Sequence, residues 1–374
     1  MGPSITRGPK QSIPLNSFFF AAVAILMGFG LTMVLSASGI KAEQLFGDPY
    51  HFFRRQALFL VLSLVIIFGA SQISIGFVFK TVYIWLGLTI ILLALTLSPW
   101  GYEAGGAQRW LRVGPYSFQP LELVKVALVL YLAYFFSQKQ DKIKSFYIGF
   151  LPPALITCLL VGLLILQPDF GGAVFLMILF FLMSLVGGVR LIYLLTMFLF
   201  SSLAGAVLII SCPYRWERFL ASINPFQHAS DSGYQIVQSL YALAMGGLWG
   251  KGLGEGQQKL FFLPEAHTDF IMAVLGEELG FVGISIIFLC FGYILFRMFA
   301  FLVSSKDIQR QLAGFGLTMV LVTGFFLHTA VVLGAIPPKG LALPFLSYGG
   351  SSLLGSSLSV GLLFSITKQK KRNS

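Results

Sequence analysis

Apolar residues, broken by few charges, run through ten stretches of the chain: near 17–38, 56–73, 77–98, 119–136, 147–166, 170–188, 191–211, 270–296, 312–334 and 349–366. Each is close to the roughly 20 residues that a helix needs to cross the hydrocarbon core of a bilayer. The pattern therefore predicts ten transmembrane helices, and an even number puts both termini on one side. Only a few residues near 167–171 separate the fifth and sixth stretches, which predicts a tight hairpin. The seventh and eighth are separated by a long segment, 212–268. A loop of that length is seldom structureless. Within it, "YQIVQSLYALAM" spaces its apolar residues as a helix does, so part of the loop is expected to lie along the membrane surface.

The fold class is thus all-α: a polytopic membrane helix bundle of about ten transmembrane helices, with a large extracytoplasmic loop between helices 7 and 8. Residues 1–374 read as a single integral-membrane domain with short cytoplasmic tails near 1–15 and 367–374. Composition agrees. The chain is 57% hydrophobic and 10% charged with a mean hydropathy of +0.86, whereas about a quarter of the residues of a soluble domain are charged. Cys158, Cys212 and Cys290 are an odd number scattered over apolar segments, so they suggest neither a disulfide framework nor a metal site. Arg7 and Lys10, the following apolar run and "SAS" at Ser36–Ser38 mimic a secretory signal. The run Phe18–Leu35 is longer than a signal core and further spans follow, so it reads as a retained first helix.

Charge orients the bundle. With both termini cytoplasmic, the cytoplasmic segments hold 14 basic and two acidic residues, and the rest of the chain 11 basic and 12 acidic. An excess of Lys and Arg on the cytoplasmic side is the common rule. The net charge of +11 is therefore mainly a topology signal and gives no case for nucleic acid. Trp100, Trp110, Trp216 and Trp249 then all fall near the exterior face, where indole favours the interface.

The candidate chemistry stands on the exterior side. Glu122 and Lys125 are three apart in "PLELVKVALVLYLA", on one helix face. They read either as an ion pair that fixes helix four or as walls of a polar cavity. Arg109 and Arg112 in "GGAQRWLRVGPYSFQP" suit phosphate by their planar forks, or headgroup anchoring beside Trp110. "GGLWGKGLGEGQQK", Gly246–Lys259, is glycine-rich and basic but lacks the Lys-Ser/Thr ending of a nucleotide loop, so it reads as a flexible turn. Lys339 in "PPKG" stands at the exterior mouth of the last span, before small residues suited to close helix packing.

The densest polar group is in "LPEAHTDFIMAV", with Glu265, His267, Thr268 and Asp269 at the start of span eight. Thr268 as an N-cap and Asp269 as a first-turn acid would account for one carboxylate. That leaves Glu265 and His267 without a task. Glu277 and Glu278 follow on the same helix, and so many acids suggest a water-accessible cavity. Asp269 is the candidate catalytic acid or base; His267 reads as its hydrogen-bonding neighbour, and no metal-ligand cluster is visible.

The stretches "GDPYHFFRRQ", "GGAQRWLRVGPYSFQPLELVK", "LQPDFGGA", "GYQIVQSLYALAMGGLWGKGLGEGQQKLFFLPEAHTDFIMAVLGEELG" and "PPKGLALPFLSYGGSSLL" run from about 47 to 354. In identity and order they resemble the SEDS family (shape, elongation, division and sporulation), typified by FtsW and RodA. The wording "GLGEGQQKLFFLPEAHTDF" leans to the division branch. Leu121 and Met272 depart from the family's usual residues, by apolar changes only.

The resemblance implies an enzyme, an inverting peptidoglycan glycosyltransferase. It would polymerise lipid II, a disaccharide-pentapeptide on undecaprenyl pyrophosphate, at the outer face of the bacterial cytoplasmic (inner) membrane during division. It implies a class B penicillin-binding protein and other divisome proteins as partners. It makes Asp269 the catalytic carboxylate, and Arg109, Glu122, Lys125, Glu265, His267 and Lys339 substrate-binding, with Lys251 or Lys259 as further cations. A divalent cation, Mg2+ or Mn2+, bridging Asp269 and the pyrophosphate is the cofactor such chemistry admits. The alternatives are a lipid II flippase, with polar groups on several spans at both depths, and a divisome scaffold.

Overall fold

The computed structural model describes residues 17–368, apart from positions 105, 115 and 261 and the side chain at 113. Arg7, Lys10, Lys370, Lys371 and Arg372, which carry part of the orienting charge, lie outside the described residues. In chain order the bundle begins with α1 (Ser17–Phe46), α2 (His51–Gln72), α3 (Ile75–Lys80) and α4 (Val82–Leu95). After a small sheet come α5 (Leu121–Gln138), α6 (Leu151–Leu166, entered through a π-helical turn Phe146–Phe150), α7 (Phe170–Gly187) and α8 (Leu191–Ile210). Two loop helices, α9 (Pro213–Ile223) and α10 (Tyr234–Gly246), precede α11 (Ile271–Ser304), α12 (Ile308–Val332) and α13 (Gly350–Thr367).

Nine helices among the described residues are long and apolar enough to cross a membrane. The tenth expected passage is the divided one, α3 and α4. They meet at Thr81, whose hydroxyl donates to Phe77 O (2.9 Å) and accepts from Trp85 Nε1 (3.0 Å). Centre and periphery separate clearly. The apolar windows of α5, α12 and α13 are each 78% buried, and that of α8 is 6% buried, so α8 stands at the outside of the bundle. Small residues make the central contacts close, as expected. A Cβ on Gly361 would stand 2.7 Å from Ala70 Cβ, and one on Gly30 would run into the carbonyl of Phe345.

The all-α expectation needs one amendment. Residues 101–118 form an antiparallel sheet of β1 (Gly101–Ala104), β2 (Ala107–Val113) and β3 (Tyr116–Phe118), in which Leu111 pairs with both Gly101 and Phe118. Gly106 and Gly114, at φ +74° and +60°, turn the two hairpins, a conformation that costs glycine little. This sheet carries Arg109.

The long loop is structured. The helix expected in "YQIVQSLYALAM" is α10, and it packs on α11 and α12 with Ile236, Val237, Ser239 and Ala242 buried. The Ser239 hydroxyl donates to Val332 O at 2.8 Å. Beyond it the chain docks into a break in α11. Gly280, at φ +65° and ψ −165°, divides that helix into 271–279 and 281–304. The freed backbone groups are taken by the 247–252 segment. Lys251 and Gly252 N–H donate to Glu277 and Glu278 O (both 3.0 Å), and Phe281 and Val282 N–H donate to Gly247 and Leu248 O (2.9 and 3.1 Å).

Candidate functional site around Asp269

Asp269 lies two residues before α11, not in its first turn, and Thr268 is not a cap. Phe270 occupies the N-cap position without a side-chain hydrogen bond. The Thr268 hydroxyl turns back instead, to Glu265 Oε2 (3.1 Å) and Glu265 O (3.2 Å). Glu265 sits at φ +53°, and its carbonyl accepts from the N–H groups of Thr268 and Asp269, both at 3.1 Å. The outcome is a tight turn with Asp269 at its exit. The turn is pinned to the loop before α13. Tyr348 N–H donates to His267 O (2.9 Å), and the Ser347 hydroxyl donates to Thr268 O (2.6 Å). Gln56 on α2 supports that loop through Ser347 O (3.2 Å). The His267 ring packs against Phe52 and Tyr348, with centroids at 4.9 and 5.7 Å.

The three titratable groups of this turn are driven apart. Burial pushes the Asp269 carboxyl up to about 7, with the negative charge of Glu265 adding to the rise and Arg109 and Arg218 opposing it. No hydrogen bond or ion pair reaches that carboxylate among the described residues. Burial also raises Glu265, but Lys41, 3.3 Å away, with His267 and the Thr268 hydroxyl, outweighs it and holds the group below its ordinary value. Burial takes His267 down to about 4 against the pull of Glu265. At neutral pH His267 is therefore uncharged, and it falls to Lys41 and Thr268 to keep Glu265 ionised. A half-buried carboxyl raised to near neutrality beside one held below its ordinary value is the pattern by which paired carboxyls take separate acid and base roles.

Cations converge from three elements. Arg109 on β2 has Nη1 3.9 Å from Asp169 Oδ1, and its guanidinium fills the space that a Cβ on Gly340 would need. Lys339 packs over Gly171; burial lowers its ammonium from the ordinary value and Asp169 opposes that. Arg218 on α9 stands over the Tyr214 ring (5.3 Å), while Arg215 seats α9 on Phe170 (3.8 Å). Asp169 caps α7 through Gly172 N–H (2.9 Å), but its Oδ2 is buried without a partner, as is Arg109 Nε. Asp169, Arg218 and Lys41 escaped the sequence reading. For Asp169 the signal was present in "PDFGGA", an acid at a hairpin between two spans and three residues before a helical Gly N–H. Nothing in the sequence singled out Arg218 or Lys41.

Two groups of expected site residues lie elsewhere. Glu122 and Lys125 bond each other at 2.8 Å, both buried, with Lys125 4.6 Å over the Phe175 ring and Gly355 of α13 packed against Glu122. Among the described residues no contact joins them to Asp269, and their surroundings are those of the structural ion pair. Glu277 and Glu278 do not line a cavity with Asp269; both are fully buried and hydrogen-bonded to the 251–259 loop. Lys251 and Lys259 are engaged with those acids, at 2.9 and 2.6 Å, which removes them as free phosphate contacts. No group of three or more His, Cys, Asp or Glu suited to a metal occurs among the described residues. With fewer than three such protein ligands grouped at Asp269, a divalent ion there would need oxygens from the substrate. Two surface hollows, at Phe301–Arg310 and between Ile178 and Phe326, adjoin none of the Asp269 cluster.

The FtsW/RodA/SpoVE family model, described as cell cycle protein, matches residues 16–372. The chain is 40% identical over 348 residues to the probable peptidoglycan glycosyltransferase FtsW of Geobacter sp. strain M18, covering 93% of this chain and 95% of that one. It is 39% identical over 346 residues to the protein of the same name from Coxiella burnetii, covering 91% and 93%. Among solved structures, a chain of a peptidoglycan synthase complex that coordinates polymerization and crosslinking superposes with a TM-score of 0.77 at 30% identity, covering 94% and 97%. The rod shape determining protein RodA of Thermus thermophilus superposes with a TM-score of 0.68 at 29% identity, covering 94% and 96%.

Proposed function

The chain belongs to the FtsW/RodA/SpoVE family, and we propose that it is a peptidoglycan glycosyltransferase that polymerises lipid II with Asp269 as general base. One observation carries the assignment of Asp269: a half-buried carboxylate with no hydrogen-bond partner among the described residues, raised to about 7, within the field of Arg109 and Arg218. An acceptor sugar hydroxyl is far too weak an acid to attack unaided. As its oxygen bonds to the donor's anomeric carbon, its proton passes to the Asp269 carboxylate. The bond from that carbon to the pyrophosphate oxygen breaks on the opposite face, and the lipid pyrophosphate leaves with the electron pair. One base and one displacement invert the anomeric centre; no second carboxylate is needed as nucleophile. A base with a pKa near the working pH contributes roughly 10²–10⁴-fold.

The leaving pyrophosphate needs cations, and Arg109 and Lys339 are placed to supply them. Both lie within the field of Asp169, whose single charge offsets part of theirs in the free enzyme. Glu265 and His267 act through the turn, Glu265 by raising Asp269 and His267 by packing. Glu122 and Lys125 hold α5 in the bundle beneath. Asp269 would be the residue to hold a divalent cation, which would supply neutralisation of the charge developing on the leaving pyrophosphate.

The site belongs at the outer face of the inner membrane with both termini cytoplasmic, the orientation the basic residues favour. A class B penicillin-binding protein is the partner that would cross-link the strands. A reporter fused after Arg372 tests the orientation; an extracytoplasmic signal would overturn it.

The broken helix α11 invites the flippase reading, since transporters use broken helices as binding sites. Here the backbone groups on both sides of Gly280 already bond to residues 247–252. They are not free for a passenger. The deciding experiment supplies purified lipid II to the purified protein, with and without its penicillin-binding partner. Glycan strands on a gel are the expected result. Lipid movement across vesicles without strands would overturn the assignment.

A further inference from the structure

We infer that Glu277 and Glu278 are positioning residues for Asp269: with Lys251, Lys259 and Ser36 they close the chain into a clamp that holds the Asp269 turn in place against the bundle. This rests on the reading of Asp269 as the base.

Both carboxylates are fully buried, where an ion persists only if nearly every lone pair is met. Glu277 Oε1 accepts from Lys251 Nζ and Gln257 N–H (both 2.9 Å), and its Oε2 accepts from Gln258 N–H (3.0 Å). Glu278 Oε1 accepts from Lys259 Nζ (2.6 Å) and from the Ser36 hydroxyl (2.7 Å), and its Oε2 accepts from Gly254 N–H (3.1 Å). Ser36 in turn accepts from Lys259 at 2.9 Å. Residues 257–259 are thereby tied to 277–278, and Asp269 stands near the middle of the segment so closed. Ser36 belongs to α1, so the clamp is anchored to the bundle and not merely to itself.

The glycines fit this purpose. Gly250 and Gly280, at φ +79° and +65°, touch backbone to backbone: a Cβ on Gly250 would run into Glu278 O, and one on Gly280 into Gly250 N. A Cβ on Gly256 would stand 2.9 Å from Glu278 Oε1. The loop that looks flexible in sequence is thus a close-fitting seat. At its far side the Asp269 turn is held by Tyr348, Ser347 and the exposed Lys41–Glu265 pair. Without the clamp those bonds and the packing of His267 on Phe52 and Tyr348 would have to hold it. A misplacement of about 1 Å at a reacting group can cost on the order of 100-fold in rate.

The test uses the full chain in nanodiscs and the double variant Glu278→Gln/Lys259→Gln, which exchanges the ion pair for a neutral amide pair of similar shape. Hydrogen exchange reads the clamp directly. Exchange in 254–270 is expected to quicken while α5 and α12 stay protected. Polymerisation of lipid II reads the consequence: kcat is expected to fall roughly 10- to 100-fold with KM changed less than about threefold. The acid limb of the pH–rate profile is expected to move to lower pH, because a loosened Asp269 is better hydrated among Glu265, His267, Lys41, Arg109 and Arg218. Mere loss of folded protein would scale the rate equally at every pH. Unchanged exchange in 254–270 would overturn the clamp. Faster exchange with kcat and acid limb unchanged would leave it structural and overturn the positioning role. Ser36→Ala removes one hydroxyl from the same network, and the same three readouts should move in the same directions by smaller amounts if the double variant does not fold. Failure of Asp269 as base would show instead as normal polymer from Asp269→Asn, with the exchange result for the clamp standing apart.

Discussion

Asp269 stands just before one nine-residue piece of helix and the pair Glu277–Glu278 in its last turn, and their surroundings differ in kind. Glu277 and Glu278 have no exposure and accept hydrogen bonds from two lysines, a serine and three backbone N–H groups. Asp269 is partly exposed and receives none among the described residues; its arginines act at a distance. Burial disfavours all three charges alike. For the glutamates the partners offset it, and the charges serve as fixed anchors. For Asp269 the offset is incomplete, so its proton affinity rises into the range where a base can both take and return a proton. The comparison teaches that in a membrane protein an acid's function follows from what is withheld from it.

The sharpest way to break the comparison is Asp269→Asn. Asparagine keeps the size and most of the hydrogen bonding but takes no proton. Polymerisation of purified lipid II should fall by at least about 100-fold, with lipid II binding retained. Strand length on gels measures it, and near-normal polymer would remove Asp269 from the mechanism. Stability should move the other way. The folded-state value near 7 lies above the ordinary 3.8, so folding draws a proton onto Asp269. Stability from this group is therefore present below pH 3.8 and is lost as pH rises through about 7. At pH 8 the Asn variant should melt no lower than the unmutated protein.

Much of this was legible in the sequence, and the omissions have physical causes. Hydropathy located the nine membrane-length helices found among the described residues, and the apolar run that folds as the shorter α3 and α4, because a bilayer demands long apolar runs whatever their packing. The break in α11 was hidden, since Gly280 inside an apolar run looks like ordinary close packing. So was the task of Glu277 and Glu278: Ser36, a Glu278 partner, lies 242 positions away. Local pattern recorded four acids near one span but not which were paired. Asp269 could still be chosen because its neighbours Glu265 and His267 cluster within a few residues. Asp169 was passed over as a hairpin acid, and only folding brings it to Arg109 and Lys339.

The pair Glu122–Lys125 tests the satisfied side of the comparison. Removing one partner leaves a bare charge within a span, a loss of about 3–5 kcal/mol. Lys125→Met alone and Glu122→Gln alone should each lower the melting temperature in detergent and the activity together. The double variant Glu122→Gln/Lys125→Met should recover most of the melting temperature. Lys125→Met with normal melting but no lipid II binding would make Lys125 a direct ligand instead.

The pH–rate profile comes next in size. If Asp269 acts as the base, kcat/KM should rise with pH on a limb centred near 7 and level off above it. A flat profile from pH 5 to 8 would mean that the rate-limiting group is already ionised throughout, and Asp269 is not it.

Glu265→Gln should have the smallest effect and sharpens the assignment most. Glu265 is ionised at working pH, held by Lys41, and its charge helps to raise Asp269. With that charge gone, burial alone opposes Arg109 and Arg218, and the Asp269 carboxyl falls partway toward its ordinary value. The acid limb should shift to lower pH by up to about one unit. Above pH 8 the rate should drop less than about tenfold, since a weaker base loses part of its driving force and no more. The Lys41 pair itself is exposed and contributes about 0–1 kcal/mol, so melting should hardly change. A loss as deep as that of Asp269→Asn, with the limb left near 7, would show that Glu265 takes the proton and that Asp269 only shapes its surroundings.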